Sequence, residues 1–368
     1  MRNLHVILLA LAACSSAQSI DPSSADPGVG TQAASSAFVV VHYPTGWGHQ
    51  ITIRGNGAGL SWSQGRAATW TAGDAWRLTL SASSTVELKP LFDDRTWAKG
   101  PNWSIRPGQT LDIWPVFYHD GGRFETIANW RSPRLHEPRD IIVYLPPSYD
   151  ENAAERYPVL YMHDGQNLFF DEDSFAGVSW DVGGAMDRGE ADASIHEAII
   201  VGVDNTSDRI WEYTPTDGGY GGGGASAYIG FLADELKPEI DRRYRTFTDR
   251  AHTGIVGSSL GGLVSLDAGV IRADAFGLVG ALSPSTWWDD TWILAQVQSE
   301  PTLPVRVYVD SGDAGDSQDD VTDTSNLAQI FRTRGATLDY LVQHGGQHNE
   351  FYWRQRFPGA AGFLLGGR

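Results

Sequence analysis

The sequence is poor in cysteine and in positively charged residues. Its 368 residues contain one cysteine, Cys14, which excludes an internal disulfide framework and any zinc site built from several cysteines. Lys and Arg number 27 against 45 Asp and Glu, giving a formal net charge of −18. Because nucleic-acid binding relies on Lys and Arg clustered against phosphates, this acidic balance argues against a nucleic-acid partner.

Long apolar runs are also scarce. After the N-terminus, no segment approaches the roughly 20 apolar residues of a membrane-spanning helix. Residues 1–13 combine one basic residue with a short apolar stretch, which predicts a secretory signal peptide and an exported protein. The string Leu-Ala-Ala-Cys at 11–14 resembles a bacterial lipobox, so we expect membrane attachment only through a lipid on Cys14. An ordinary signal peptide and secretion are the alternative. Residues 14–36, rich in Ser, Ala, Asp, Gly and Pro, are predicted to be a flexible tether.

Tryptophan, by contrast, is abundant, and seven of the 14 tryptophans fall within residues 37–118. Short apolar–polar alternations separated by turn residues predict a small all-β sandwich there, immunoglobulin-like or starch-binding-like in architecture. Sugars stack their apolar C–H faces on aromatic rings, so glycan binding is one expected role of this accessory module. The alternative is a purely structural module whose tryptophans serve packing.

Residues 132–368 follow a different pattern and are separated from the module by a predicted linker at 119–131. Continuous apolar runs alternate there with helical patterns, as expected for parallel strands buried on both faces. The runs lie at 141–145, 157–163, 198–203, 253–257, 277–282 and 305–309. This alternation predicts an α/β fold with a doubly wound, mostly parallel sheet.

The chemistry centres on Gly257-Ser258-Ser259-Leu260-Gly261, a G-x-S-x-G string between a predicted strand and a predicted helix. That context is typical of a nucleophile elbow, where small neighbours permit a cramped turn that exposes the serine hydroxyl. Ser259 has glycine two residues before it and two residues after it, whereas Ser258 does not. Ser259 is therefore the predicted nucleophile.

A serine nucleophile needs a base, and in this kind of fold the histidine follows late in the chain. Only His344 and His348 come after the elbow. We predict that His348 is the base, because Gly345 and Gly346 end the preceding strand and His348 begins the next helix. His344 is expected near the strand end, with a structural or substrate-lining role.

The acid that orients the imidazole is expected after the strand at 305–309. The residue pattern alone does not choose among five candidates, which are Asp310, Asp313, Asp316, Asp319 and Asp320. The natural donors of an oxyanion hole are the backbone amides of Gln166, in the loop after the strand that ends near His163, and of Leu260. His163 itself is predicted to be a packed residue that orients this loop.

Four segments together resemble the esterase-D-like "putative esterase" family. They are 140–149, the loop 163–169, the stretch 201–213 with Arg209, and the elbow. The family includes feruloyl, acetyl-xylan and enterochelin esterases, so the resemblance implies an α/β-hydrolase fold, a Ser–His–acid triad, and no metal or organic cofactor.

Residue by residue, the resemblance assigns the nucleophile to Ser259, the base to His348, and the oxyanion amides to Gln166 and Leu260. The acid is where the sequence departs from the family, because Gly315 occupies the usual position. The family's spacing to the histidine favours Asp319, then Asp316, with Asp313 third.

The leading functional interpretation is a secreted serine carboxylesterase that hydrolyses feruloyl or acetyl esters of carbohydrate through an acyl-enzyme on Ser259. A siderophore esterase is the second interpretation. Its anionic substrate would require Arg or Lys near the site, and residues 343–349 contain neither. The third is a surface binding lipoprotein whose hydrolase domain is not catalytic.

Overall fold

The computed structural model describes residues 33–367. The predicted signal peptide at 1–13, the predicted lipidation site Cys14 and most of the predicted tether lie outside the described residues. Within 33–367, no helix is both long enough and apolar enough to cross a membrane.

The described chain forms 17 strands and nine α-helices. The strands are β1 Ser35–His42, β2 Ile51–Gly55, β3 Arg66–Ala67, β4 Thr69–Thr71, β5 Ala75–Ala82, β6 Val86–Phe92, β7 Thr96–Trp97, β8 Trp103–Ile105, β9 Thr110–Ile113, β10 Arg123–Trp130, β11 Arg139–Leu145, β12 Val159–His163, β13 Ile199–Val203, β14 Thr253–Ser259, β15 Leu278–Pro284, β16 Arg306–Gly312 and β17 Leu338–Gln343. The helices are α1 Ser148–Glu151, α2 Val182–Asp192, α3 Arg209–Tyr213, α4 Ala225–Phe231, α5 Lys237–Arg243, α6 Leu260–Ile271, α7 Trp288–Ser299, α8 Val321–Thr333 and α9 Glu350–Leu365. Short 3₁₀ turns cover Gly165–Asn167, Arg250–His252 and Gln318–Asp320, and a π-helical turn, Leu232–Leu236, joins α4 to α5.

The accessory module is a sandwich of two β-sheets. One sheet has the order β4-β5-β1-β9, and the other has the order β3-β2-β6-β7 with β8 also paired to β6. Their inner faces share one apolar core, to which β1 contributes Val39 and Val41 and β2 contributes Ile51 and Ile53. The alternating pattern of the sequence follows from this arrangement, because each strand turns one face to the core and the other to water.

The larger domain is built on an eight-stranded sheet with the order β10-β11-β13-β12-β14-β15-β16-β17. From β13 to β17 all neighbouring strands are parallel. Helices α2 and α9 pack on one face, and α4 to α8 pack on the other. Every residue of β12 and β13 is consequently buried, which explains their continuous apolar runs. The predicted α/β-hydrolase fold is confirmed.

The stretch 119–131, predicted as a linker, is partly a strand. Residues Arg123–Trp130 form β10, which pairs antiparallel with β11 as the edge strand of the large sheet. No residue of β10 is fully buried, because an edge strand has a neighbour on only one side. A strand so exposed lacks the apolar run that marks the central strands.

One carboxylate fastens the module to the larger domain. Glu151, at the end of α1, accepts hydrogen bonds from the successive amides of Phe117, Tyr118 and His119, at 2.7, 2.8 and 2.6 Å. Its side chain is 2% exposed. The neighbouring Asn152 donates a second interdomain bond, from its amide Nδ2 to the His42 carbonyl at 2.9 Å. The two domains are therefore in direct hydrogen-bonded contact.

Candidate active site

The candidate site lies at the carboxyl ends of three parallel strands. Strand β14 ends at Ser259, β12 ends at His163, and β16 ends at Gly312. In a doubly wound sheet this edge is where ligands bind, because the loops that leave it surround a crevice.

Ser259 has the backbone of a nucleophile elbow. Its φ of 56° and ψ of −124° are strained for a residue with a Cβ, and α6 begins at the next residue. The turn closes only because its neighbours are small: a Cβ added to Gly257 would lie 2.7 Å from the Gly261 carbonyl carbon. The Ser259 hydroxyl is thus held above the sheet, with its Oγ 3.3 Å from the Oγ of Ser285.

His348 lines the same cavities as that serine and is paired with Asp319. Nδ1 of His348 lies 2.6 Å from Oδ1 of Asp319, and the Asp319 side chain is fully buried. The Trp353 ring packs edge-on against the imidazole, with ring centroids 5.0 Å apart. Asp316, the second candidate for the acid, is exposed and forms no hydrogen bond with His348 in the described structure, since Asp319 occupies Nδ1.

Asp319 sits in an unusual turn. Gln318, Asp319 and Asp320 all have φ near +50°, a left-handed conformation that costs non-glycine residues energy. The turn is anchored by Asp320, whose Oδ2 accepts bonds from the Thr286 hydroxyl at 2.5 Å and the Trp287 amide at 3.1 Å. These bonds turn the Asp319 carboxylate inward.

Burial and hydrogen bonding act in opposite directions on the Asp319 carboxyl. Burial raises its pKa, but hydrogen bonds from His348, Ser283 and the Gly312 amide outweigh that effect and hold the pKa below its ordinary value. The carboxyl is therefore ionised at neutral pH, as a group that orients an imidazole must be.

The two predicted oxyanion amides come from two separate segments, of which one follows the serine directly and the other shares a cavity lining with it. Leu260 is the first residue of α6, and Gln166 lies in the 3₁₀ turn Gly165–Asn167 directly after β12. The first N–H groups of such turns have no partner inside the turn, so they are available to an anion. The Gln166 side chain is held in place, because its Oε1 accepts a hydrogen bond from the backbone amide of Asn205 at 3.1 Å.

An ion pair between the partly exposed Arg209 and the buried Asp164 fixes the oxyanion loop. Arg209 donates to both carboxylate oxygens of Asp164, at 2.7 and 2.9 Å, and Asn205 donates to one of them at 2.5 Å. Burial raises the pKa of Asp164, but the charge of Arg209 and these hydrogen bonds lower it overall. Asp164 has a φ of 57°, so this pairing stabilises the bend from which the Gln166 amide projects.

His163 lies beneath the elbow and does not reach the cavity lining. Its Nδ1 is 2.9 Å from the Tyr228 hydroxyl, and burial lowers its pKa to about 3. A neutral, packed imidazole fits the orienting role predicted for it. His344 instead lies at the surface, with Nδ1 2.6 Å from Oδ2 of Asp313.

Two cavities meet at the serine and the histidine. The first measures about 380 Å³ and includes Asp164, Gln166, Trp180, Arg209 and Glu350 in its lining. The second measures about 350 Å³ and is lined by Pro284, Ser285, Trp287, Ser317 and Asp320. Ser259 and His348 line both cavities. A substrate with groups on either side of a scissile bond would thus find space for each.

The residues do not form a metal centre. Between residues 33 and 367, no group of three or more His, Cys, Asp or Glu side chains is arranged to hold a metal ion.

Several site residues were not assigned from the sequence. Ser285 touches the nucleophile and Ser283 touches the acid, but serine is too common for either to stand out. Arg209 lies after β13 in the segment 201–213, which resembles the esterase family, and that resemblance is the one sequence feature that points to it. Only the structure pairs it with Asp164.

Comparison with known proteins assigns the chain to a family. A family model described as "Putative esterase" matches residues 132–364. The iron(III) salmochelin esterase of Escherichia coli O6:H1 is 27% identical over 275 residues, covering 70% of this chain and 62% of that protein. The endo-1,4-beta-xylanase/feruloyl esterase of Xylanibacter ruminicola is 27% identical over 238 residues, covering 64% of this chain and 30% of that protein. This chain therefore spans less than two thirds of the length of these two relatives.

A crystal structure of the enterobactin esterase FES from Shigella flexneri is similar in fold across both domains. It aligns with a TM-score of 0.54 at 17% identity and covers 86% of this chain and 87% of that chain. The family model, in turn, matches most of this chain, and the matched residues include Ser259, Asp319 and His348. The chain belongs to the "Putative esterase" family and is a carboxylic ester hydrolase.

Proposed function

We propose that this protein is a serine esterase that works through an acyl-enzyme on Ser259. The observation that carries the proposal is the His348–Asp319 pair, at 2.6 Å, whose imidazole lines the same cavities as a serine held in an elbow. His348 Nε2 removes the proton from the Ser259 hydroxyl as its oxygen attacks the ester carbonyl. Asp319 keeps the opposite ring nitrogen protonated and stabilises the imidazolium that forms.

The negative charge that develops on the carbonyl oxygen is received by the amides of Gln166 and Leu260. His348 then returns its proton to the leaving alcohol, and the C–O bond of the ester breaks. A water molecule, deprotonated by His348, attacks the acyl-enzyme and releases the acid, which regenerates the Ser259 hydroxyl. This sequence requires no group other than the side chains and amides named.

For the substrate we propose a neutral ester on carbohydrate, with a feruloyl or acetyl group. The two cavities contain one cationic side chain, Arg209, against three carboxyl groups, those of Asp164, Glu350 and Asp320. Arg209 is already engaged by both oxygens of Asp164. An anionic substrate would find no uncommitted cation in the lining, whereas a sugar or aromatic acyl group fits against Trp287 or Trp180. The feruloyl esterase activity in the name of the X. ruminicola relative agrees with this class.

A siderophore esterase is the second candidate, and the two-domain likeness to the enterobactin esterase supports it. Turnover of a feruloyl sugar, an acetylated sugar and a ferric catecholate trilactone should be compared at equal enzyme concentration. We expect kcat/KM to be highest for a sugar ester. A preference for the trilactone would reverse the assignment of substrate.

The nucleophile is tested with Ser259→Ala, using Ser258→Ala as the matched control on the same turn. We expect Ser259→Ala to abolish hydrolysis of 4-nitrophenyl acetate and labelling by a fluorophosphonate, and Ser258→Ala to retain both. Circular dichroism should show that both variants are folded. A wild-type protein that neither hydrolyses esters nor takes up the label would instead indicate a non-catalytic binding lipoprotein.

For the remaining parts of the chain we propose export with a lipid on Cys14 and glycan binding by the module. Trp62 and Trp97 support the second proposal, since both rings are partly exposed and their centroids lie 6.3 Å apart. Mass spectrometry of the mature N-terminus tests the lipid. Affinity electrophoresis in xylan or starch gels tests the glycan, and unretarded migration in every polysaccharide would argue against it.

A further inference from the structure

A second cluster of buried charges lies directly behind the acid Asp319. It contains Asp310 from β16 and Arg356 from α9, whose side chains are 0% and 2% exposed. The Arg356 guanidinium lies between the two carboxylates, with Nε 3.3 Å from Oδ2 of Asp310 and Nη1 3.7 Å from Oδ2 of Asp319. The catalytic steps described above do not use either residue.

Ser283 links this cluster into one hydrogen-bonded network. Arg356 Nη2 donates to the Ser283 hydroxyl at 2.6 Å, and that hydroxyl donates to Oδ2 of Asp319 at 2.5 Å. The Ser283 amide donates to Oδ1 of Asp310 at 3.0 Å. Ser283 has a φ of 42° although it lies within β15, so its backbone is strained at the point where it serves both carboxylates.

Stability alone is a poor reason for this arrangement. Taking three charged groups out of water is costly, and apolar residues of similar volume are often at least as stable in such places. The location of the cluster suggests a different benefit. Arg356 belongs to α9, and His348 lies two residues before the start of that helix. The network therefore joins the helix that follows the base to the turn that carries the acid.

We propose that Arg356, with Asp310 and Ser283, forms a positioning network that holds the His348–Asp319 pair in its reactive geometry. This inference rests on the proposed catalytic function. Arg356 supplies the positive charge and donates one hydrogen bond through Nη2 to Ser283, which in turn donates to Asp319. Asp310 faces the other side of the guanidinium as a charge contact. None of the three touches the substrate.

The charged and polar groups that face Asp310 come from three other elements and from its own strand. They are Arg356 on α9, Asp319 in the 3₁₀ turn, the Ser283 amide on β15, and Tyr308 on β16. Burial raises the pKa of Asp310 to about 7, and Arg356 opposes the rise. Arg356 lies 3.3 Å from Asp310 and 3.7 Å from Asp319, so its positive charge offsets both carboxylates. Its removal raises the pKa of Asp319, because that carboxyl loses a nearby positive charge.

The test compares Arg356→Met with Arg356→Lys and uses Arg306→Met as the matched control. Arg306 also ties β16 to α9, through a 2.7 Å bond to the Leu364 carbonyl, but it does not contact Asp319. With 4-nitrophenyl acetate, we expect Arg356→Met to lower kcat at least tenfold at nearly constant KM. The acid limb of its kcat/KM profile should move to higher pH. Arg356→Lys should restore the position of that limb and part of kcat.

A milder variant covers the case in which Arg356→Met does not fold. Ser283→Ala removes only the hydroxyl bridge, and we expect it to lower kcat about fivefold without changing KM, because Asp319 loses one of its orienting donors. Folded Arg356→Met or Ser283→Ala enzyme with wild-type kcat and pH profile would overturn the positioning role. Arg306→Met should lower thermal stability alone.

Failure of the positioning role is distinguishable from failure of the proposed function. If Asp319→Asn is inactive while the network variants behave like the wild type, the triad stands and the network is only structural. If Asp319→Asn is fully active, the triad itself is wrong, and the network has no pair to position.

Discussion

Two histidine–aspartate pairs lie within a few residues of each other and look alike at first sight. Both join Nδ1 to a carboxylate oxygen at 2.6 Å. The His344 side chain is 90% exposed and its partner Asp313 is 32% exposed, whereas Asp319 behind His348 is fully buried. The two pairs show that contact distance alone does not distinguish the proposed catalytic pair from a surface pair, whereas the burial of the carboxylate does.

The surroundings act through hydration. The Asp313 carboxylate is held by His344 and by the Gly345 amide, which lower its pKa, but water competes for both partners. The Asp319 carboxylate is fully buried, so water does not compete for it. Its hydrogen-bond partners come from β15, β16 and the His348 loop. Exposed ion pairs contribute little and rearrange freely, while a buried carboxylate with several hydrogen-bond donors keeps one geometry.

The sharpest way to break the comparison is to remove one charge from each pair. We expect Asp319→Asn to lower kcat/KM by about 10⁴-fold, because the amide favours the wrong tautomer of His348 and cannot stabilise the imidazolium. Asp313→Asn should remain within about twofold of the wild type. Steady-state hydrolysis of 4-nitrophenyl acetate measures both. Equal losses in the two variants would mean that the exposed pair also takes part in catalysis.

Unfolding at different pH values sharpens the same contrast. Because the pKa of Asp319 lies below its unfolded value of about 4, its ionised form stabilises the fold above that pH. The contribution disappears as the pH falls through the folded pKa. Asp319→Asn should therefore cost about 1–3 kcal/mol of unfolding free energy at pH 7, with the difference from wild type shrinking below pH 4.

Urea unfolding curves at pH 7, 5 and 3.5 provide the measurement. Asp313→Asn is the control, and its curves should overlay the wild type throughout because that pair is solvated. A constant Asp319→Asn difference across the whole pH range would contradict the assignment of the depressed pKa to this network.

The smallest expected effect concerns the ring that packs on the imidazole. Trp353 contacts His348 edge-on, while no aromatic ring packs on His344 within residues 33–367. We expect Trp353→Leu to lower kcat about fivefold, because the imidazole gains rotational freedom. Trp353→Phe keeps an aromatic edge and should lose less than half as much. Identical kcat values for both variants and the wild type would show that the Trp353 ring does not help to position His348.

The sequence was informative where chemistry depends on local spacing. The elbow requires glycines at fixed positions around Ser259, and the central strands must be apolar on both faces. Both features can therefore be predicted from the sequence. His348 was favoured because glycines end the strand before it. Each of these features is set by residues within a few positions of one another.

Other features depend on contacts that spacing does not encode. Five aspartates follow one another at 310–320, and only the left-handed turn at 318–320 directs Asp319 inward. The Arg356 network joins residues 27 to 73 positions apart across three elements. The edge strand β10 was missed for a related reason, since its exposure and its irregularity between Ile127 and Trp130 erase the strand pattern.

The hydrogen bonds from the amides of Phe117 to His119 to Glu151 affect how a polymeric substrate would reach the serine. A module on a flexible linker sweeps a volume, and the effective concentration of its ligand at a second site falls smoothly with linker length. Here the two domains are joined by direct bonds instead, so the span from module to serine is a fixed distance. Under the proposed glycan binding by the module, a bound chain gains the full advantage of two-point attachment when its ester lies at that distance, and none when it does not.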